Sequence, residues 1–224
     1  MDNQFEIVLL GGGGHARVLI DSLRQSGDLR SIAVLDADTS LHGNSFFDLP
    51  ILGGDDLLGQ LVQNGTRYFI IGFAGTKDHE PRKRAYENAC ALGLHPLSVR
   101  HPSAIISPHA TIGLGSQVMA GAIVNASARL GANVILNTAS VVEHDCTVGN
   151  HVHIASGARL CGGVHVADLA HVGAGSTILQ GVSIGYAAVV GLGASVIADV
   201  ANLTTVFGVP AKPKSLPTSS ENIT

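Results

Sequence analysis

The sequence is poor in several kinds of residue, and each shortage argues against a class of protein. It has no tryptophan, and aromatic residues make up only 4% and charged residues 13% of its 224 positions. The net charge is −4 and no run of basic residues occurs, so we expect no nucleic-acid partner. No apolar stretch approaches the roughly 18 residues of a membrane span, and the first residues lack the basic start of a secretory signal.

Cysteine is also scarce. Cys90, Cys146 and Cys161 are odd in number and have no metal-ligand spacing. A disulfide framework is therefore not expected, and the sequence favours a reduced, cytoplasmic setting. We also expect no bound metal.

Aliphatic residues, by contrast, recur at every sixth position from 106 to 196. Because 46% of the chain is hydrophobic, chance would produce this unbroken series only about a few times in a million. A small or β-branched residue follows four positions later, as at Ala122, Ser140 and Cys146. The pattern predicts a hexapeptide β-helix, with about three hexads per triangular coil and about 18 residues between stacked positions. The repeated positions are Ile106, Ile112, Val118, Val124, Leu130, Leu136, Val142, Val148, Ile154, Leu160, Val166, Val172, Ile178, Ile184, Val190 and Val196.

A solenoid of this kind limits where a ligand can bind. It has a thin interior core and flat outer faces, with no room for a deep pocket of its own. A small-molecule site must therefore lie on a face, and most readily between the faces of neighbouring subunits.

The first hundred residues have a different pattern. Apolar runs, a glycine turn and helical spacing alternate, which predicts a βαβ unit with a parallel, Rossmann-like sheet. We expect an α/β domain over residues 1–100, the β-helix over 101–207 and a C-terminal tail over 208–224. The predicted strands lie at 5–10, 32–35, 67–71 and 97–99, and the predicted helices at 16–23 and 80–92.

A glycine-rich turn, Gly11 to Gly14, separates the first strand from the first helix. Such a turn lets backbone N–H groups approach a phosphate at the helix N-terminus, and Asp36 at the end of the second strand can accept from a ribose hydroxyl. His15 and Arg17 stand where a dinucleotide motif would have a third glycine, so a single nucleotide moiety suits the domain better than NAD. The alternative is that the glycines only form a tight turn and that Asp36 only caps it.

One histidine in the β-helix has carboxylates on both sides. His144 lies between Glu143 and Asp145, and an imidazole beside a carboxylate is the usual general-base pair. Gly162 comes one predicted coil later, so it should stack on His144 and leave space and an accessible N–H beside the imidazole. The alternative is a solvated surface histidine beside surface acids.

A second histidine, His153, lies about half a coil after His144. Within one subunit the two would face apart, so they can share a site only between subunits. His153 and His171 are one coil apart and should stack. A stacked pair leaves metal binding open as an alternative, as in hexapeptide carbonic anhydrases.

Several segments of the chain form a recognisable set. They are Gly11-Gly12-Gly13-Gly14-His15, Leu35-Asp36, Ile71-Gly72, Asn137-Thr138-Ala139-Ser140-Val141-Val142-Glu143-His144-Asp145-Cys146 and Gly208-Val209-Pro210-Ala211-Lys212. Together they resemble the sialic-acid O-acetyltransferase and nucleotide-sugar N-acetyltransferase family of hexapeptide-repeat acyltransferases. The chain looks most similar to the branch that acetylates nucleotide-linked 4-amino sugars, the bacillosamine and perosamine enzymes, and the resemblance extends nearly to its end.

This resemblance implies a left-handed β-helix that assembles as a homotrimer, with active sites between subunits. It implies that the N-terminal domain holds the nucleotide of a nucleotide-linked amino sugar and that acetyl-CoA, the co-substrate, lies along the coils. The roles it implies are His144 as general base, Asp145 as the acid that orients it, Asn137 near the amino sugar, Gly13, Gly14 and His15 in the phosphate turn, Asp36 at the nucleoside, His153 and Lys212 at acetyl-CoA, and Gly162 as a backbone donor to the acetyl carbonyl.

The resulting hypothesis is an acetyl-CoA-dependent N-acetyltransferase that acts on a nucleotide-linked 4-amino-4,6-dideoxy sugar in bacterial glycan biosynthesis. Transfer would be direct, because Cys146 falls at an inward-facing position and is expected in the core. The segments between Asp36 and Arg67 and around 75–79 differ from the family and leave the nucleotide base open. The alternatives are O-acetylation of a sialic acid or another sugar hydroxyl, and a metal-binding or non-catalytic hexapeptide protein.

Overall fold

Two parts of different architecture follow each other along the chain. The structure, a computed structural model, describes residues 5–28, 30–75 and 78–214. An α/β part comes first and a stack of very short parallel strands follows, so the predicted fold class is confirmed.

The N-terminal part is a six-stranded sheet with helices on both faces. Its elements are β1 (Ile7–Leu10), α1 (Gly14–Gln25), β2 (Ile32–Leu35), β3 (Ser45–Phe46), β4 (Leu49–Gly53), α2 (Leu58–Gln63), β5 (Tyr68–Ile71), α3 (Glu80–Ala91) and β6 (His95–Pro96). The strand order is β3-β4-β2-β1-β5-β6. The pairings are parallel except for the β3–β4 hairpin at the edge.

The central strands of this sheet are buried because they are uninterrupted apolar runs rich in β-branched residues. β1 and β2 read IVLL and IAVL, and every residue in them is buried. α1 covers one face of the sheet, and α2 with α3 covers the other. Among the described residues, no helix is both long and apolar enough to cross a bilayer.

The sequence pattern located β1, β2, β5, α1 and α3. Between Asp36 and Arg67 it did not predict β3, β4, α2 or the two short 3-10 helices at Thr39–Leu41 and Asp55–Leu57. β3 and β4 form an edge hairpin whose short strands lack the apolar run of the central ones, and α2 has only six residues. The strand predicted at 97–99 was wrong in its bounds. The structure has β6 before it and a coil strand that begins at Val99.

The C-terminal part consists almost entirely of two-residue strands separated by tight corners. In chain order, β7 to β23 are Val99–Arg100, Ile105–Ile106, Thr111–Ile112, Gln117–Val118, Ile123–Val124, Arg129–Leu130, Ile135–Leu136, Val141–Val142, Thr147–Val148, His153–Ile154, Arg159–Leu160, His165–Val166, His171–Val172, Thr177–Ile178, Ser183–Ile184, Val189–Val190 and Ser195–Val196. β24 (Thr205–Phe207) and β25 (Lys212–Pro213) complete the series.

These strands stack into three sheets, which form the walls of a left-handed parallel β-helix. The first wall contains β7, β10, β13, β16, β19, β22, β24 and β25, the second wall every third strand from β8 to β23, and the third wall every third strand from β9 to β21. Each strand pairs with the one a full coil later, as Val142 does with Leu160. The aliphatic series is buried throughout, except that Ile106 and Ile112 are partly buried and pack against the core.

Both ends of the predicted β-helix differ from their expected bounds. β7 lies within the segment expected to form the first domain, yet it pairs with β10 on the first wall. β25 lies within the expected tail, but it pairs antiparallel with β24 and so belongs to the same wall. Residues 215–224 of that tail lie outside the described residues.

The two parts meet along the first wall. Val99 and Met119 of the coils pack into the apolar core beneath α1. Gln117 on β10 donates from Nε2 to the carbonyl of Ile71, the last residue of β5, at 2.8 Å. Tyr86 on α3 contacts the ring of His151 edge-on, with centroids 5.5 Å apart. The carboxyl end of β5 is therefore held against the first coils.

Candidate active site

His144 lies at the corner that follows β14, between the second and third walls. Its side chain is 60% exposed and that of Asp145 is 66% exposed. His144 Nδ1 lies 2.8 Å from Asp145 Oδ2. Because an ionised carboxylate can only accept, Nδ1 carries the proton of the neutral imidazole and Nε2 keeps a free lone pair. This is the tautomer that a general base needs.

The two carboxylates beside His144 have different contacts. Asp145 has φ 60°, and its backbone N–H donates to Ala126 O at 3.1 Å. Glu143 instead accepts from Asn125 Nδ2 at 2.7 Å. Asp145 is therefore the acid that orients the imidazole, and Glu143 is held by the neighbouring coil.

Gly162 stacks on His144, as the spacing predicted. A Cβ atom on Gly162 would lie 2.6 Å from both Cε1 and Nε2 of His144, much closer than nonbonded atoms allow. Other coils carry side chains at this turn, at Ala126 and Gln180. The turn itself therefore does not need a glycine, whereas the imidazole above it does.

Cys146 points into the coil. It is fully buried in the β-helix core, and its Sγ donates to Cys161 O at 3.1 Å. Burial raises the pKa of its thiol. A buried, protonated thiol has no nucleophilic role, so the predicted core position is confirmed.

A cavity of about 620 Å³ extends along the first wall. Its lining includes residues of β16, β19, β22 and β24, which are neighbours in the sheet. Adjacent strands lie about 4.8 Å apart, so this lining extends roughly 14 Å across the coils. Most of the lining is apolar, and it includes Leu192, Leu203 and Phe207. The shape suits a long ligand that lies along the coils.

His153 lies at the β16 end of this cavity and is 5% exposed. Its Nδ1 lies 3.0 Å from Gly75 O, and its Nε2 lies 3.2 Å from Asn137 Nδ2. A carbonyl oxygen can only accept, so Nδ1–H donates to Gly75 and Nε2 accepts from Asn137. Burial lowers the pKa of His153 to about 4, which leaves the ring neutral near pH 7.

His79 and Arg82 also lie near His153, and no pattern in the sequence singled them out. The ring of His79 stacks on His171, with centroids 5.6 Å apart, and burial lowers the pKa of His79 to about 4 and that of His171 to about 3. Arg82 is 1% exposed and donates from Nη1 to two backbone carbonyls at the end of β5. The described residues include no group of three or more His, Cys, Asp or Glu side chains placed to hold a metal ion.

The glycine turn follows β1 at the carboxyl edge of the sheet. β2 lies on one side of β1 and β5 on the other, so the connections diverge here, and ligands of open α/β sheets bind at such a point. Gly13 and Gly14 face open space, since a Cβ on either meets no atom within 4 Å. At Gly72, after β5, a Cβ would overlap Gly11 O. Close approach of the two backbones therefore requires a glycine at this position.

Asp36 ties this turn to the end of β2. Its Oδ2 accepts from the backbone N–H of Gly12 at 2.6 Å, and its Oδ1 accepts from that of Asp38 at 2.9 Å. The carboxylate thus has the turn-capping role that the sequence left as an alternative. Each carboxylate oxygen has more than one lone pair, so Asp36 also keeps capacity to accept from a ligand hydroxyl.

His15 lies in the first turn of α1, but its side chain contacts the β-helix. Its Nε2 lies 2.7 Å from Gln117 Oε1. Burial lowers the pKa of His15 to about 4, so the ring supplies no positive charge to a phosphate near pH 7. Gln117 is 1% exposed and was not singled out by the sequence, because its strand position points away from the coil interior.

Lys212 lies on β25 opposite Phe207 and is exposed. It does not line the cavity on the first wall, whereas Lys214 and Phe207 do. Neither of these two residues was predicted, because the chain after 201 lacks the hexad repeat.

Within one chain the predicted residues fall into separate groups. His144, Asp145 and Gly162 lie together at a corner of the second and third walls. Asn137 and His153 lie together on the first wall beside the cavity. The glycine turn and Asp36 form a third group at the edge of the sheet.

Comparison with known protein families gives a match to the first part of the chain. The model described as the PglD N-terminal domain matches residues 6–88. A GDP-perosamine N-acetyltransferase of Escherichia coli O157:H7 is 30% identical over 157 residues, which are 70% of this chain and 61% of that protein. The matched region thus spans about three fifths of the length of that curated relative.

Solved structures extend the similarity over nearly the whole chain. PerB from Caulobacter crescentus, in complex with CoA and GDP-perosamine, is 36% identical, with a TM-score of 0.87 over 93% of this chain and 97% of the other. The acetyltransferase domain of PglB from Neisseria gonorrhoeae, in complex with acetyl coenzyme A, is 34% identical, with a TM-score of 0.85 over 93% of this chain and 98% of the other.

Proposed function

Because this chain belongs to the nucleotide-sugar N-acetyltransferase family, we propose that it transfers the acetyl group of acetyl-CoA to the amine of a nucleotide-linked 4-amino-4,6-dideoxy sugar. The observation that carries this proposal is the His144–Asp145 pair, with its free Nε2 facing a glycine. The reaction serves bacterial glycan biosynthesis in the cytoplasm. Relatives that act on or bind GDP-perosamine support this substrate class.

The mechanism we propose needs one general base and one hydrogen-bond donor to the oxyanion. His144 Nε2 takes a proton from the sugar amine as the nitrogen attacks the acetyl carbonyl, and Asp145 stabilises the resulting imidazolium. The N–H of Gly162 donates to the carbonyl oxygen as it becomes an oxyanion. As the C–S bond breaks, His144 returns the proton to the leaving sulfur. The buried Cys146 takes no part, so transfer is direct.

The two substrates occupy different surfaces in this proposal. The cavity on the first wall holds acetyl-CoA, with His153 at one end and Lys214 available to the phosphates of CoA. Gly13 and Gly14 present their backbone to the diphosphate of the sugar nucleotide at the N-terminus of α1. The nucleoside lies towards Asp36.

The proposed site is incomplete in one subunit, so we expect a homotrimer. His144 lies at the corner of the second and third walls, whereas His153 and the cavity lie on the first wall. A neighbouring subunit must bring the two surfaces together. Sedimentation should give three times the chain mass of 22.9 kDa. A monomer at micromolar concentration would contradict the shared site.

Co-expression offers a functional check of the same arrangement. His144→Ala removes the base, and Val189→Trp fills the cavity on the first wall. Each variant alone should have a strongly reduced rate, but mixed trimers should recover activity at interfaces that combine an intact His144 with an intact cavity. If the mixture stayed inactive although mixed trimers formed, the site would lie within one subunit.

We predict that Asp36→Ala raises KM for the sugar nucleotide roughly ten- to a hundredfold and leaves KM for acetyl-CoA nearly unchanged. The variant loses the hydrogen bond to the nucleoside, which should weaken binding by about 1.5–3 kcal/mol. It also loosens the glycine turn. Asp36→Asn keeps an oxygen for the Gly12 N–H and should lose less. Initial rates measured against the concentration of each substrate in turn give both KM values for each variant. Equal rises in both KM values would indicate misfolding, and no rise would remove Asp36 from the site.

The function itself is tested by a screen of acceptors with acetyl-CoA. GDP-, UDP- and dTDP-linked 4-amino sugars are supplied in turn, CoA release is followed, and the acetylated atom is located by NMR. We expect N-acetylation of at least one of them. Acetylation of a sialic acid or another sugar hydroxyl with no turnover of any amino sugar would overturn the proposal, as would CoA release with none of the acceptors.

A further inference from the structure

A line of three hydrogen-bonding groups connects the glycine turn to the β-helix. His15 Nε2 lies 2.7 Å from Gln117 Oε1, and Gln117 Nε2 donates to Ile71 O at 2.8 Å. Gln117 is 1% exposed, so solvent offers it no alternative partner. His15 and Gln117 are 102 residues apart in the chain. The line therefore depends on how the two parts of the chain pack.

The donor and acceptor of each hydrogen bond in this line follow from the group at its far end, the carbonyl of Ile71. Ile71 contributes a carbonyl oxygen, which can only accept, so the side-chain amide of Gln117 must point its NH₂ group there. Its carbonyl oxygen is then left for His15. Two acceptors cannot bond each other, so His15 must carry a proton on Nε2.

The surroundings of His15 keep the ring neutral. Arg82 and His153 both lie close enough to disfavour a second proton, and burial contributes more than either. Arg82 itself donates from Nη1 to Ile71 O at 3.1 Å. A neutral ring with its proton on Nε2 has a lone pair on Nδ1, which is therefore an acceptor.

An acceptor at this position has a consequence for the ligand. The oxygens of an ionised diphosphate are acceptors, so they cannot bond His15 Nδ1. The donors of a sugar nucleotide near its diphosphate are hydroxyl groups, on the ribose or on the amino sugar. The backbone of Gly13 and Gly14 remains available to the phosphates, since both glycines face open space.

We propose that His15 accepts a hydrogen bond from a hydroxyl group of the sugar nucleotide through Nδ1, and that Gln117 is the positioning residue that fixes the tautomer required for this. The inference rests on the proposed function, because it assigns a role within the nucleotide site. It replaces the expectation that the His15 side chain contacts phosphate. It also makes a residue of the first wall part of nucleotide recognition.

The tautomer is measured without any ligand by ¹⁵N NMR of the histidine-labelled protein. Near pH 7 we expect His15 to show a protonated Nε2 and an unprotonated Nδ1. Gln117→Met, which is similar in size but neither donates nor accepts strongly, should give a mixture of the two tautomers. A protonated Nδ1 in the wild-type protein would overturn the proposal, as would a Gln117→Met spectrum that is unchanged.

Two substitutions of His15 test the roles of its two ring nitrogens one at a time. His15→Gln keeps a donor to Gln117 but removes the acceptor at Nδ1, whereas His15→Asn places an acceptor near Nδ1 and loses the contact with Gln117. The probe is whichever of GDP, UDP and dTDP the wild-type protein binds most tightly, with its 4-amino sugar conjugate and inorganic pyrophosphate for comparison. We expect His15→Gln to weaken nucleotide or conjugate binding by roughly 3- to 10-fold, and His15→Asn to lose less.

The pattern across the probes identifies the hydroxyl. A loss seen with the nucleoside diphosphate alone, and reproduced in the wild type by removing a ribose hydroxyl, assigns the contact to the ribose. A loss seen only with the conjugate assigns it to the amino sugar. An equal loss for pyrophosphate would make His15 a phosphate ligand and overturn the inference. Unchanged affinities in His15→Gln would overturn only this inference, whereas no nucleotide binding by the wild type would also overturn the proposed function.

Discussion

Replacing His144 by alanine is expected to lower kcat roughly 10²–10⁴-fold with little change in KM for either substrate. The change removes the ring nitrogen Nε2 that lies beside Gly162, and with it the proposed base. His144 is mostly exposed and lies outside the core, so thermal unfolding should hardly change. Steady-state kinetics with saturating acetyl-CoA measures the loss.

A matched set of variants makes this result specific. His109→Ala removes an exposed histidine from a corner of another coil and should leave kcat unchanged. Asp145→Asn should lower kcat less than His144→Ala does. The asparagine tolerates the same left-handed backbone, and the imidazole stays in place although its charged partner is lost. Near-normal turnover of His144→Ala at neutral pH would remove His144 from the mechanism.

Replacing Gly162 by valine is expected to lower kcat by roughly 10²-fold or more, through loss of the proposed oxyanion contact and displacement of the base. Even a single Cβ would lie 2.6 Å from His144 Nε2 and Cε1, so the imidazole must move away from Asp145. The acetyl group would also lose the space beside the N–H. Gly162→Ala should therefore already lower kcat, and valine more so. Comparison of kcat across the series measures the effect.

The control for this series lies at the same corner further along the coil. Ala198→Val adds comparable bulk at an exposed position two coils later, so it should leave kcat and thermal stability nearly unchanged. In the His144→Ala background, Gly162→Ala should cost no stability, since the clashing ring is absent. A normal rate for Gly162→Val would mean that the stacked glycine is not part of the site.

The parts of the structure that follow from the six-residue period or from a short apolar run could be predicted from the sequence. The core position of Cys146 followed from the hexad repeat, and the stacking of Gly162 on His144 followed from the same period. β1 and β2 were evident because buried central strands are continuous apolar runs. In each case the information lay within a few residues, or at a fixed spacing along the chain.

The parts that depend on packing between distant segments could not be predicted. The contact of His15 with Gln117 joins residues that no repeat or motif relates, and a glutamine on an outward-facing position looks like a surface residue. His79 and Arg82 became buried only because the segment after β5 packs against the first wall. The capping of the glycine turn by Asp36 could be named as an alternative, but the choice required the backbone geometry.

The 18-residue register that the coils keep from β7 to β23 restricts how this chain can change in length during evolution. Insertion or loss of one whole turn leaves every later residue on its own wall, whereas a change of a single hexad rotates the later part by one wall. An extra hexad between β16 and β22 would carry Phe207 and Lys214 away from the wall that bears His153. Viable length variants should therefore differ by complete turns or by loops that project from a corner. Duplication of one turn is then the simplest route to a longer cavity on the first wall.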